Sequence, residues 1–410
     1  GHPLAGTNYR PTLAVHVGWA LQPLGSSLLC RSVDQHRERE CGKGEAQVRV
    51  LIAGGGTGGH LMPALALAEA LIEVDPSVEP VLVGAKRGVE ATILPSKPYR
   101  YYLLPVHPLY RREWWKNLRW PFLFLKTLRE CSRVLDSETP SVALGTGGYA
   151  SGPVLYWATR RGIPLAIQEQ NSVPGLATRM LAGRARQIHL GFPEAEGLLK
   201  KGPNTAVLNH GNPITPPPVW SVDRSSARTS LGLLAESPVA MVMGGSQGAA
   251  RINSVVADLI RSGAFEGITL LWSTGERTWR QYAEFDAPPH RIVKPFWDPI
   301  SEAYAAADIT IARAGAMTTA ELCAWGLPSI LVPLPTSAAD HQSRNAAALA
   351  EAGAALHLPE SELTPDSLQK LVGELLENPT RLSEIRSSAK ARGKPTAARN
   401  IAEDVLGLVG

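Results

Sequence analysis

Side chains able to move protons, and backbone able to grip anions, gather at glycine-rich turns in this sequence. The richest turn reads GGGTGGH at 54–60. Its glycines let the backbone approach a ligand closely, and the amides opening the next helix point at whatever sits there, which favours an anion. Thr57 adds a hydroxyl. His60 adds a ring that titrates near neutrality and can exchange a proton with a reacting group; its simpler role is to cap the helix behind the loop. Two more turns, GTGGYASGP at 145–153 and GGSQGA at 244–249, repeat the pattern. Gln168-Glu169-Gln170-Asn171 closes a short apolar run, and ligands of open α/β sheets bind at the carboxyl ends of strands. Asn171 alone also suits a helix cap. Further on, RAGAMTTAE at 313–321 winds into a helix pattern on which Thr318 and Glu321 share a face. A carboxylate there can accept two hydrogen bonds from a diol, the alternative being a capping-box glutamate. Asp340, His341, Gln342 and Asn345 stand at a later helix start and suit sugar hydroxyls.

These groups need strands and helices to hold them. Apolar runs at 48–52, 81–84, 99–105, 141–145, 164–167, 238–243, 268–274, 292–295, 308–312 and 329–333 read as buried strands. Helix-like patterns follow many of them, so the glycines fall on strand-to-helix turns. Proline density in NHGNPITPPP at 209–218 marks a linker, after which the alternation restarts. The expected organisation is an extension at 1–46, a first domain at 47–214 completed by a helix at 394–410, and a second domain at 215–393. Both domains read as doubly wound α/β sheets. The spacing of Gly54, Gly56 and Gly59 also satisfies a dinucleotide fingerprint, but the second strand closes on Gly84-Ala85-Lys86 with no acid for a ribose.

The chain has 410 residues, 44% hydrophobic and 19% charged, with a net charge of +4, which is the profile of an ordinary globular protein and gives no argument for nucleic acid. Cys30, Cys41, Cys131 and Cys323 show neither zinc-site spacing nor a disulfide framework, so a reducing compartment fits. Residues 13–30 resemble a weak signal segment, interrupted by His16, Gln22 and Pro23; a disordered extension is the expectation. The stretch 109–135 interleaves Trp114, Trp115, Trp120, Phe122 and Phe124 with Arg111, Arg112, Lys116, Arg119, Lys126 and Arg129. That mixture suits an anionic headgroup interface, and a core helix with one solvated face is the alternative.

Taken together and in order, GGGTGGH, GTGGYASGP, EQN at 169–171, GNP at 211–213, GGSQGA, RAGAMTTAEL at 313–322 and DHQSRNA at 340–346 resemble the MurG family. The resemblance covers residue 48 to the C-terminus. It implies a GT-B fold, two Rossmann-like domains facing across a cleft, and transfer of N-acetylglucosamine from UDP-N-acetylglucosamine to undecaprenyl-linked lipid I, forming lipid II. Carried over by motif, the donor contacts are Thr57, Gly58, Gly59, Asn171, Ser246, Gln247, Ala316, Met317, Thr318, Thr319, Ala320, Glu321 and Gln342. Gly147, Gly148 and Tyr149 form the acceptor loop, His60 is the catalytic candidate and Glu169 the rival base. Trp114, Trp115, Lys116, Arg119 and Trp120 become a membrane patch, placing the protein at the cytoplasmic face of the cell membrane. No D-x-D element is apparent, so loop amides and helix N-termini would meet the phosphate charge without a metal or other cofactor. Three positions depart from the family: Gln168 stands where a histidine is usual, Thr215 where an arginine is, and Trp297 replaces an aliphatic residue near the base, where it could stack or crowd. A related GT-B transferase with another sugar or acceptor, or a binder without catalysis, are the alternatives.

Overall fold

The computed structural model describes residues 48–106, 120–218, 223–245 and 249–409. The extension at 1–46, Trp114, Trp115, Lys116, Arg119, Ser246 and Gln247 lie outside them. Two sheets form, and the pairings within each are parallel. The first comprises β1 (Arg49–Gly54), β2 (Glu79–Ala85), β3 (Arg100–Leu104), β4 (Val142–Gly147), β5 (Leu165–Glu169), β6 (Gln187–Leu190) and β7 (Ala206–Leu208), in the order β3-β2-β1-β4-β5-β6-β7. The second comprises β8 (Val239–Met243), β9 (Thr269–Ser273), β10 (Arg291–Lys294), β11 (Ile309–Ala312), β12 (Ser329–Leu331) and β13 (Leu356–His357), in the order β10-β9-β8-β11-β12-β13.

The central strands are apolar without alternation because helices cover both sheet faces. Val50, Leu51, Ile52 and Ala53 are all fully buried, with Leu51 and Ala53 packing on one face and Val50 and Ile52 on the other. Strands β6, β7 and β13 escape the sequence reading. The last two are only 3 and 2 residues long, and β6 carries Gln187 and His189 on one face, which breaks the apolar run. Both strand orders reverse direction next to the first strand of their sheet, between β1 and β4 and between β8 and β11, and such switch points open ligand crevices.

The described part of the helix Trp120–Glu138 includes Pro121. At the C-terminus, Ala397–Leu406 returns to the first sheet and buries Ile401, Ala402 and Val405 in the core shared with Leu61, Leu67 and Leu71 of the helix Gly58–Val74. Ile401 has no exposed surface. Ile401→Ala should therefore cost about 2–5 kcal/mol through lost burial and the cavity left behind. Urea unfolding followed by circular dichroism checks this through an earlier first transition.

Candidate active site

The switch point of the first sheet brings the two glycine loops into contact. The Gly55 amide donates to the Gly147 carbonyl at 3.3 Å, and a Cβ on Gly148 would stand 1.8 Å from the Gly55 carbonyl oxygen. Gly148 also has φ +82, so only glycine allows this approach. The His60 ring lies against Gly147, where an added Cβ would fall 2.9 Å from its Cδ2. Thr57 Oγ1 sits 2.9 Å from His60 Nδ1, and Thr146 Oγ1 donates to the His60 carbonyl at 2.8 Å. The ring is thus held by Thr57 and Gly147 while Thr146 fixes its backbone, and it is bonded to a side chain, not used as a helix cap. Burial, with His341 of the second domain as the lesser cause, lowers its pKa to about 4, so it is neutral at physiological pH. Gly58 and Gly59 are exposed, with open space on the side where Gly58 would carry a side chain.

Glu90 is the residue that sequence reasoning missed. It is fully buried beneath the first loop and accepts a hydrogen bond from the Gly56 amide. That amide is therefore spent inside the protein and is not offered to an anion, which narrows the loop's anion-facing part to its helix end. Nothing in the residues around 90 signals this contact, which depends on β2 lying beside β1.

Glu169, expected as a rival base, is 3% exposed and saturated with donors. It accepts from the Asn171 amide at 3.1 Å and side-chain Nδ2 at 3.4 Å, the Gly175 amide at 3.0 Å and Thr178 Oγ1 at 2.6 Å. A carboxylate so occupied shapes its loop and leaves no lone pair directed at a substrate, so it is withdrawn as a base. Asn171 caps no helix either; its side-chain oxygen accepts from Asn345 of the second domain at 3.2 Å.

That contact belongs to a buried seam of amides. Asn345 accepts from the Ser172 amide and hydroxyl, at 2.9 and 3.0 Å, and donates to the Ala314 carbonyl. Asn212, in the linker, donates to the carbonyls of Gln170 and Ala316 and accepts from Gln168 Nε2 at 2.9 Å. Gln170 completes the run by donating to Gln168 and to the Thr146 carbonyl. Gln168, in place of the family's usual histidine, is thus an interior amide that joins Gln170 to the linker.

The donor candidates on the second domain separate by helix face. In the helix Ala316–Trp325, Met317, Thr318 and Glu321 share one side. Thr319 is 1% exposed and its hydroxyl donates back to the Ala316 carbonyl, so its side chain is turned away from a ligand. Thr319 and Ala320 instead line a narrow cavity with Gly191, Asn212, Cys323 and Arg392, against the first domain. Glu321 makes no capping box. Its Oε2 accepts from Tyr304 at 2.9 Å, and burial lifts its pKa to about 7 against the lowering effect of that bond. Gln342 accepts from the Leu334 amide at 3.0 Å. Trp297, expected to stack on or crowd a base, is 3% exposed and packed in the core, with the Lys294 ammonium 4.2 Å from its ring centre. No described residue group offers a metal site beside these loops.

Two doubly wound domains whose switch points face one another make up the GT-B fold. Residues 50–190 match the glycosyltransferase family 28 N-terminal domain, and residues 239–404 match its C-terminal domain. The chain is 39% identical over 361 residues to the UDP-N-acetylglucosamine--N-acetylmuramyl-(pentapeptide) pyrophosphoryl-undecaprenol N-acetylglucosamine transferase of Salinibacter ruber, covering 88% of this chain and 96% of that one. The protein of the same name from Chlorobaculum parvum is 39% identical over 367 residues, covering 88% and 99%. The crystal structure of Acinetobacter baumannii MurG superposes with a TM-score of 0.71 at 26% identity, over 88% of this chain and all of that one. The chain belongs to glycosyltransferase family 28 and, within it, to the MurG family.

The raised Glu321 pKa has a signed consequence for stability. Between about 4.5 and 7 the folded carboxyl holds more proton than the unfolded one, so its contribution to stability falls as pH rises through that window. Wild type should lose stability relative to Glu321→Gln from pH 5 to pH 8, read as diverging urea midpoints. Gly147→Ala should displace the His60 ring and lower kcat by about 100-fold, the scale of a 1 Å misplacement, with folding retained by circular dichroism.

Proposed function

We propose that this protein transfers N-acetylglucosamine from UDP-N-acetylglucosamine to the MurNAc 4-hydroxyl of undecaprenyl-linked lipid I, forming lipid II with inversion at the anomeric carbon. The single observation that supports the reading, beyond family membership, is that a half-buried neutral imidazole and a half-buried carboxylate with a pKa near 7 stand at the switch points of the two sheets. His60 and Glu321 stand on facing switch points, tied together by the amide seam.

In this reading His60 Nε2 takes the acceptor proton. That requires the tautomer in which Nδ1–H donates to Thr57 Oγ1, so the threonine sets the ring for its task. A base with a pKa of about 4 gains the proton late, once attack on the sugar has acidified the hydroxyl. Charge on the departing diphosphate is met by amides at the start of the helix Ala316–Trp325 and of the loop after β8. Glu321 accepts from the ribose, with Tyr304 fixing one of its oxygens. Met317 and Thr318 share its face, while Thr57, Gly58 and Gly59 border the sugar. The site uses no metal, and no helix among the described residues is long and apolar enough to cross a membrane. Peripheral attachment to an anionic membrane surface through Trp114, Trp115, Lys116, Arg119 and Trp120 gives access to the prenyl-linked acceptor.

Radiolabel transfer from UDP-N-acetylglucosamine to a lipid I analogue tests the reaction. Initial rates should be unaffected by chelator. His60→Ala should lower kcat by 100-fold or more, the scale of lost general-base catalysis, while donor KM changes little. Nearly full turnover in that variant would remove His60 from the mechanism. Because a protonated Glu321 accepts one hydroxyl less well, kcat/KM for the donor should rise with pH through about 7 and become flat in Glu321→Gln. Co-sedimentation with anionic vesicles tests the patch; binding unchanged by Trp114→Ala, Trp115→Ala and Lys116→Glu together would discard it.

A further inference from the structure

Away from the glycine loops, the first domain carries a second cluster of titratable side chains that the transfer reaction does not use. It lies where the C-terminal helix returns to the sheet. His189 on β6, His210 just beyond β7 and Asp404 in the helix Ala397–Leu406 bring one ring nitrogen each and a carboxylate oxygen within 4.8 Å of one another. The two imidazoles stack at 5.5 Å between centroids with 23° between their planes.

The hydrogen bonding around the cluster leaves a buried ring nitrogen unpaired among the described residues. His210 Nε2 meets Asp404 Oδ2 at 2.6 Å. His189 Nε2 meets Gln187 Oε1 at 3.3 Å, which assigns the proton to that nitrogen, since an amide oxygen only accepts. His189 Nδ1 then presents a lone pair, yet His189 has no exposed surface and this nitrogen has no hydrogen-bond partner among the described residues. An unmet acceptor buried to this degree is costly and calls for an occupant. Gln187 also donates from Nε2 to the Asp404 backbone carbonyl at 3.0 Å, so one side chain orients both the buried ring and the helix that carries the carboxylate. Metal-bound histidines show this arrangement, with the non-ligating N–H held by a fixed oxygen.

We propose that His189, His210 and Asp404 form a binding site for a zinc-class divalent cation that fastens the C-terminal helix to the first domain. Two imidazoles and one carboxylate suit zinc, which takes three protein ligands and a water in tetrahedral geometry, and exclude magnesium, which prefers oxygens alone. His210 and Asp404 are partly exposed, which leaves the ion a route in. The ion replaces the His210–Asp404 hydrogen bond with a three-way link between β6, the linker side of β7 and the returning helix. Its role is structural, since none of the donor-side residues belongs to the cluster.

The test uses the full chain, stripped with chelator and free of any affinity tag, titrated with zinc alone and then with magnesium alone. Calorimetry should show one zinc per chain, with a higher Tm, and no uptake of magnesium at the same concentration. His210→Gln and Asp404→Asn, both at the exposed rim, should each weaken zinc binding by about 100-fold while keeping the circular dichroism of the wild type. Gln187→Leu should weaken it by about 10-fold or more, the range found for groups that orient a ligand. Failure of the wild-type chain to bind zinc at micromolar concentration overturns the proposal. So does equal affinity in the two rim variants, because the ion would then sit elsewhere.

Discussion

The structure depends on a run of side-chain amides that never meets solvent. Asn345, Asn212, Gln170 and Gln168 hydrogen-bond to one another's segments and to backbone carbonyls at the ends of β4 and β11, so two separately wound sheets are held with their switch points opposed. Asn345, Gln168 and Gln170 are 2% exposed or less, and losing one partner would leave another buried polar group unsatisfied. Hydrophobic contact alone would allow the domains to slide. A directional seam specifies one relative placement, and that placement decides which residues share the cleft.

Within the first domain the same economy of space governs the loop chemistry. Gly147 and Gly148 let β4 end close enough to the first loop for Gly55 and the His60 ring to rest on backbone. Glu90 occupies the underside and takes the Gly56 amide, while Thr57 and Thr146 hold the histidine from the other sides. The ring is kept neutral by desolvation, with His341 adding to the effect. On the opposing domain desolvation works on an acid and raises Glu321 toward neutrality. Burial therefore disfavours the charged form on both sides of the cleft, which leaves the imidazole neutral and the carboxyl poised near physiological pH.

Membership in the MurG family accounts for the motif order, and the departures from that family find physical explanations at two of three positions. Gln168 serves as an interior amide link, and Trp297 fills the second core beneath Lys294. Thr215 is exposed at the linker, and nothing in the structure explains its choice.

Glycine spacing, apolar runs and the proline-rich break made two wound α/β halves legible in the sequence, because parallel strands buried on both faces leave unbroken hydrophobic stretches and their turns need glycine. The positions of His60 and Glu321 were legible for the same reason, each lying a fixed few residues past a strand. Which polar residue faces the cleft was not legible. Glu169 and Thr319 fit motifs as well as His60 and Glu321 do, yet one is saturated by its own loop and the other turns inward. Glu90 and the His189, His210 and Asp404 cluster carry no local signal, because their partners lie 34 residues away in one case and 194 in the other. Chemistry of side chains is written locally, but hydrogen-bond saturation and desolvation depend on neighbours that only chain crossing brings together, so the tertiary structure alone decided which groups are free to act.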